Sequence, residues 1–172
     1  MKPAPQHPMR LFQILLRMIK MKRFVIADLH LGHKKILEFE SARQHFSDID
    51  HMHRTIIVKW NSLVGDKDTV YVLGDVAFKK DALPLMDRMK GRKILIKGNH
   101  DLFGLEHYTP HFEDIRACHV MGGTIMTHIP VHDSQKSRYK LNIHGHLHSH
   151  KLDDPFYKCV SVEQTDFTPM II

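Results

Sequence analysis

Five short apolar or β-branched runs in this 172-residue chain end in Asp, His or Asn side chains. Runs such as 24–27, 70–73 and 94–96 are compact and bounded by charged or glycine-containing turns, which is typical of buried strands. The side chains at the ends of such runs are Asp28-Leu29-His30, Gly74-Asp75, Gly98-Asn99-His100-Asp101, Thr127-His128 and Gly145-His146-Leu147-His148. Because ligands gather beyond the carboxyl ends of strands in α/β sheets, strand ends that point one way would build a single site.

The residue types at these strand ends indicate metal binding. The chain contains 16 histidines, more than core packing requires, and His is the commonest metal ligand. Each motif alone is more typical of a turn or a hydrogen-bonded surface group, but the ordered set predicts a metal site. If the strand pleat continues through the motifs, Asp28 with His30, and His146 with His148, would each present two donors on one side.

Glycines and the ligand chemistry refine this prediction. Gly74, Gly98 and Gly145 precede candidate ligands and permit tight turns and a close approach of the backbone. Nitrogen and oxygen ligands without thiolate favour Mn, Fe, Zn, Co or Ni, among which the sequence does not choose.

The rest of the pattern predicts one α/β domain, as the chain length also does. Apolar residues at helical spacing indicate a helix over 47–63, with a capping-box-like start and one apolar face made of Ile49, Met52, Ile56, Trp60 and Leu63. A second helix is indicated over 81–89. Beyond residue 114 the pattern is of strands only, so we expect a mostly antiparallel second half. These strands are predicted at 115–121, 124–128, 140–144 and 157–162, with a hairpin turn at Gly122-Gly123.

Charge is concentrated at the start of the chain. The formal charge is +6, and residues 1–20 carry four basic residues and no acidic one, so residues 21–172 are nearly balanced. A nucleic-acid-binding module is therefore not favoured, and nucleic acid is expected only as a substrate. We expect residues 1–20 to be an extension, disordered or an amphipathic helix, ahead of a domain at 21–172. Membrane association of residues 9–20 is disfavoured but stays open.

Two further patterns bear on environment and surface. The two cysteines are far apart, which predicts a reducing compartment and thus the cytoplasm. The lysines at 34, 35, 79, 80 and 93 are interpreted as solvated, because no aromatic residues interleave with them in the sequence. The sequence gives no indication of oligomeric state.

The five motifs together resemble those of the calcineurin-like metallophosphoesterase superfamily, over about residues 22–165. The stretches around Asp28, Trp60, Asp75 and Asn99 are similar to the small, cap-less phosphoesterases of bacteria and phages. The resemblance implies an α/β fold, a four-layer α-β-β-α sandwich of two mixed β-sheets flanked by helices. Similar proteins continue beyond Thr168-Pro169-Met170-Ile171-Ile172 into a further helix, so we expect lower stability or a different surface there.

The resemblance also implies two divalent metal ions and a role for each motif residue. Asp28, His30 and His148 would hold one ion, and Asn99, His128 and His146 the other. Asp75 would bridge both ions, since one carboxylate can ligate two cations.

His100 is not needed as a ligand and would be the catalytic residue, able to reach the phosphoryl or leaving oxygen. Four other polar residues are expected around the ligands or at the substrate rim. Asp101 would orient His100 or cap the next helix, His33 and His144 would lie behind the ligands, and His132 would lie near the mouth of the site.

The expected activity is hydrolysis of a small-molecule or nucleotide phosphate ester. Phosphodiesterase is favoured over phosphomonoesterase, because there is no room for a cap domain and no arginine adjoins the motifs, Arg92 and Arg116 lying away from the strand ends. An inactive protein-binding scaffold is the alternative of another class. It is disfavoured because every motif position is intact.

Overall fold

The computed structural model describes residues 21–172. The extension predicted at residues 1–20 lies outside the described residues. The strands are β1 Arg23–Ile26, β2 Thr69–Val72, β3 Arg92–Ile96, β4 Asp114–Arg116, β5 His119–Met121, β6 Thr124–Met126, β7 Leu141–His144, β8 Tyr157–Cys159 and β9 Met170–Ile171. The α-helices are α1 Ile36–Phe39, α2 Ile49–Leu63 and α3 Leu105–Tyr108, and the 3-10 helices are Ser41–Arg43, Lys80–Arg88 and Asp133–Ser137.

The strands form two mixed sheets. The first has the order β4-β3-β2-β1-β9, with β1 to β4 parallel and β9 antiparallel to β1. The second has the order β5-β6-β7-β8, with β5 antiparallel to β6 and the other pairs parallel. A parallel bridge between Ala27 and Ser161 joins the end of β1 to the segment after β8, so the two sheets meet next to the β1 motif.

Two hydrophobic clusters lie on the two faces of the first sheet. Alternate residues such as Val25, Leu73 and Ile96 pack against Met126 and Ile143 of the second sheet. The other face carries the larger cluster, in which the helices cover the sheet and Trp60 is fully buried. The α/β sandwich of two mixed sheets is confirmed.

Helix α2 is the long helix of the fold, and its start and buried face follow from its sequence. The Asp48 side chain caps it by accepting a hydrogen bond from the His51 backbone amide. Met52, Ile56 and Trp60 are buried as the spacing predicts, but Leu63, predicted on the same face, is 47% exposed at the last turn. No helix within residues 21–172 is long and apolar enough to cross a membrane.

The prediction of a mostly antiparallel second half is wrong. Residues 127–140 and 145–156 are crossover connections, long enough to return the chain to the same end of the sheet, so β6, β7 and β8 run parallel. The first connection packs on the outer face of the second sheet through Tyr157, whose hydroxyl donates to the Val131 carbonyl.

Two predicted elements also differ from the structure. The strand predicted over 115–121 is two strands, β4 and β5, because the chain passes from the first sheet to the second at residues 117–118. The helix predicted over 81–89 is a 3-10 helix that contains Pro84, whose missing amide proton disfavours an α-helix.

Candidate metal centre

The candidate ligands follow the strand ends in an unusual backbone conformation. Seven non-glycine residues of the described chain have positive φ angles, and five of these are candidate ligands: Asp28 (62°), His30 (49°), Asp75 (53°), His146 (70°) and His148 (49°). A side chain in this region costs roughly 1 kcal/mol or more, and such strain concentrates at functional sites. The conformation turns these side chains out of the strand direction, toward one end of the sandwich.

Neighbouring loops hold this backbone in place. The Asp28 amide donates to the Gly74 carbonyl at 3.0 Å, and the His30 amide donates to the Asp75 carbonyl at 2.9 Å. The loops after β1 and β2 are therefore hydrogen-bonded to each other through the residues that carry the ligands.

The seven predicted ligands come together in two adjoining groups. One atom each from Asp28, His30 and His148 lie within 4.8 Å of one another, and so do atoms from Asp75, His128 and His146. Asn99 completes the second group, since its Oδ1 lies 2.8 Å from His128 Nε2. His146 and His148 thus belong to different groups, unlike the strand-pleat prediction, whereas Asp28 and His30 share one group.

Asp75 lies between the two groups. Its Oδ2 is 3.6 Å from His30 Nε2 and 3.4 Å from His128 Nε2. Its Oδ1 accepts a hydrogen bond from the His100 backbone amide at 2.9 Å, which fixes the carboxylate plane. One carboxylate therefore faces donors of both groups.

The donor atoms fit divalent cations. Asp28 Oδ1 and His30 Nε2 are buried and have no hydrogen-bond partner among the described residues. Burial raises the pKa of the Asp28 carboxyl to about 6, and burial, with the nearby charge of Arg43, lowers the pKa of His30 to about 2. His30 is therefore a neutral imidazole with a free ring nitrogen, and the charge of Asp28 calls for a cation. Imidazole, carboxylate and amide ligands suit the borderline divalent metals.

His128 is oriented toward Asp75 by the chain itself. Its Nδ1 donates to the Leu73 carbonyl at 2.7 Å, so Nε2 faces Asp75 and Asn99. Burial opposes protonation, but the hydrogen bond to Asp75 and the charges of Asp28 and Asp75 outweigh it, and the pKa of His128 is raised. A cation among these carboxylates would take the place of that proton.

Arg43 and Glu163 contact the candidate ligands from the buried side, and the sequence did not predict either residue. The Arg43 guanidinium, fully buried, donates to the Asp28 carbonyl at 2.6 Å and to Glu163 Oε1 at 2.7 Å. The same Oε1 lies 2.9 Å from His148 Nδ1, which leaves Nε2 of His148 as the ligand atom. Arg43 and Glu163 lie 120 positions apart, so no local motif signals their contact.

Asp101 holds the loops after β2 and β3 rather than the His100 ring. Its Oδ2 accepts from the amides of Asp75 and Gly98, and its Oδ1 accepts from the amide of Val76. These three bonds occupy the carboxylate. Asp101 therefore neither orients His100 nor caps a helix, the two roles that were expected. The backbone of the proposed bridging residue is thereby fixed from behind.

The remaining predicted residues lie at different distances from the ligands. The His100 ring is exposed, with its centroid 5.7 Å from that of His30. His33 lies next to His30, with ring centroids 5.6 Å apart. His144 bonds the Gly145 carbonyl through Nδ1 and packs against Tyr157, and His132 caps the 3-10 helix Asp133–Ser137.

The glycines before the ligands are required for close packing. A Cβ on Gly98 would lie 2.2 Å from Asp75 Oδ1, and one on Gly145 would lie 2.6 Å from Asp28 Oδ2. A Cβ on Gly74 would lie 2.6 Å from His128 Nδ1. Any side chain at these positions would displace a ligand.

The chain matches one family model and is similar to several known proteins. A family model described as calcineurin-like phosphoesterase matches residues 21–168. An uncharacterised protein of Methanocaldococcus jannaschii is 34% identical over 165 residues, 87% of this chain and 86% of that protein. The gene 66 protein of Mycobacterium phage L5 is 32% identical over 129 residues, 72% of this chain and 56% of that protein. The crystal structure of a protein of unknown function from Aquifex aeolicus has the same fold, with a TM-score of 0.70 and 24% identity over 88% of this chain and 96% of that one.

Gly98→Ala should abolish tight metal binding while the chain still folds. The added methyl displaces the Asp75 carboxylate, and Gly98 lies in a loop rather than in the core. Gly65→Ala is the matched control, because its nearest neighbour would be 3.4 Å away. Metal content after dialysis, measured by mass spectrometry alongside circular dichroism, should fall for Gly98→Ala alone. Equal metal content in both variants would show that the glycine is not required.

Asp75→Asn should release metal from both groups at once, because an amide cannot replace a carboxylate between two cations. Titration of the metal-free variant with Mn²⁺ should show the loss of both high-affinity equivalents, with Asp66→Asn, an exposed change, as the control. Two tightly bound equivalents in Asp75→Asn would contradict the bridging position.

Proposed function

The chain belongs to the calcineurin-like phosphoesterase family, and from this premise we propose that it hydrolyses phosphodiesters at the centre described above. The observation that carries the proposal is the position of Asp75, whose carboxylate faces imidazoles of two ligand groups. Two divalent cations in such a site supply Lewis-acid stabilisation of phosphoryl oxygens and make water nucleophilic near neutral pH.

The reaction exchanges one bond to phosphorus. The oxygen of water bonds to phosphorus, the bond from phosphorus to the ester oxygen breaks, and that oxygen leaves with a proton as an alcohol. Asp28, His30 and His148 form one wall of the site, and Asn99, His128 and His146 form the other. Because their backbone is fixed by the hydrogen bonds described above, the ligands need little rearrangement as the reaction proceeds.

His100 is the residue best placed to act on the substrate. Its backbone amide is bonded to Asp75 Oδ1, so the residue is anchored to the bridging carboxylate while its ring is exposed next to His30. From this position the imidazole can donate a hydrogen bond to a phosphoryl oxygen or a proton to the leaving oxygen.

The arginines support a diester substrate. Arg43, contrary to the expectation that no arginine adjoins the motifs, contacts the Asp28 loop, but from the buried side with its donors engaged. Arg92 pairs with Glu113, and Arg116 pairs with Asp114. None of these three guanidinium groups is free to neutralise the second negative charge that a monoester carries.

His100→Ala should keep both metal equivalents and lower kcat by about 10² to 10⁴-fold, the usual effect of losing one acid or charge-stabilising group. His107→Ala removes a histidine whose neighbour is Glu106 and should leave kcat unchanged. Metal content and kcat are measured on the same preparations. A fall in metal content that parallels the fall in kcat would make His100 a ligand instead.

Substrate preference is tested with bis-p-nitrophenyl phosphate and p-nitrophenyl phosphate on one Mn-loaded preparation. We expect the larger kcat/KM for the diester. A monoester preference above about tenfold, or about 1.4 kcal/mol in transition-state binding, would favour the phosphomonoesterase alternative. Protein that binds two equivalents of metal but hydrolyses neither ester would favour the inactive scaffold.

A further inference from the structure

An open cavity of about 440 Å³ adjoins the metal centre and has no role in the hydrolysis described above. Its volume is within the range of small-molecule sites. The cavity is lined by three rings, His33, Phe39 and Phe78, which we call the aromatic shelf. Three lysines, Lys34, Lys35 and Lys79, also line it.

The two phenylalanine rings of the aromatic shelf are exposed. Phe39 is 67% exposed and Phe78 is 47% exposed, although each could lower its free energy by burial. His33 stacks on Phe78 with ring centroids 4.0 Å apart and an interplanar angle of 11°. The Phe78 amide donates to the Leu31 carbonyl at 2.8 Å, which ties the shelf to the loop that carries His30. The three rings do not share one plane, because Phe39 stands at 66° to His33, but Phe39 and Phe78 each keep exposed ring surface.

The shelf borders both a ligand and the proposed catalytic residue. The His33 ring centroid is 5.6 Å from that of His30, and the Phe78 ring centroid is 6.2 Å from that of His100. A substituent on a phosphorus atom held between His30 and His100 would therefore lie within reach of the shelf.

The lysines give the shelf a positive rim. Lys34, Lys35 and Lys79 are all exposed. They are solvated as predicted, but in the folded chain Phe39 and Phe78 line the same cavity as these lysines. Exposed rings with lysines around them are the combination that binds single-stranded nucleic acid, in which bases stack on rings and phosphates contact cations.

We propose that the aromatic shelf binds the nucleobase of a nucleotide phosphodiester whose phosphate lies at the metal centre, with Lys34, Lys35 and Lys79 around the base attracting the anionic substrate to the cavity. Stacking uses the flat face that every base has, so the shelf accepts different bases. The proposal rests on the phosphodiesterase function above and specifies its substrate class.

The test compares two diesters with the same leaving group, thymidine 5′-(p-nitrophenyl phosphate) and methyl p-nitrophenyl phosphate. The wild type should prefer the thymidine ester by about tenfold or more in kcat/KM. Phe78→Leu and Phe39→Leu keep apolar volume but remove a ring, and each should lower kcat/KM for the thymidine ester by about tenfold. Both variants should hydrolyse the methyl ester within about twofold of wild type, and Phe78→Trp should restore the preference. Leu63→Ala, exposed at the end of α2, should change neither rate.

A binding measurement separates this proposal from the phosphodiesterase function. If the wild type hydrolyses neither ester, the proposed function fails. The nucleobase site is then tested separately, by measuring thymidine 5′-phosphate binding to the metal-free chain with saturation-transfer NMR. Transfer should then be strongest at the base protons, with affinity about tenfold weaker in both Leu variants. The nucleobase site is overturned if the ratio of kcat/KM for the two esters is the same in the wild type and the Leu variants. It is also overturned if these proteins bind thymidine 5′-phosphate with equal affinity. A parallel loss of both ester activities in Phe78→Leu overturns it as well, because the ring would then support His100 rather than a base.

Discussion

The burial of a carboxylate without sufficient partners is the constraint from which the rest of this structure follows. Asp28 is fully buried, and its Oδ1 has no hydrogen-bond partner among the described residues. A buried charge is costly unless it is paired, and His30, an imidazole of the same group, is held neutral by burial and by Arg43. The unpaired donor atoms of Asp28 and His30 are therefore suited to hold a cation.

The surrounding structure keeps these donors from relaxing. Five ligands have left-handed backbone, which the chain would leave if its loops were free. Asp101 bonds three amides of the loops after β2 and β3, and the Arg43 guanidinium bonds the carbonyl of Asp28 and the carboxylate that orients His148. The two sheets also meet at Ala27 and Ser161, next to the first motif. Strain at the ligands is thus balanced by buried hydrogen bonds behind them.

Local signals in the sequence predicted the parts of this arrangement that depend on neighbouring residues. Each of these signals involves residues only a few positions apart in the sequence. They are the apolar runs before Asp28, Asp75 and Asn99, the spacing of apolar residues in α2, and the glycines at the turns. Contacts between distant segments could not be predicted from such signals. Arg43 contacts Glu163, and Phe39 lies near Phe78, only in the folded chain. The parallel pairing of β6 with β7 was missed for the same reason, since it depends on the path of a long connection and not on the strands themselves.

Anomalous diffraction from crystals of the Mn-loaded chain tests the central claim most directly. Data collected near the manganese edge should show two peaks about 3.5 to 4 Å apart, the separation typical of two-metal sites. The Asp75 carboxylate should lie between the peaks, with Asp28, His30 and His148 around one and Asn99, His128 and His146 around the other. A single peak, or two peaks that do not share Asp75, would contradict this account of the site.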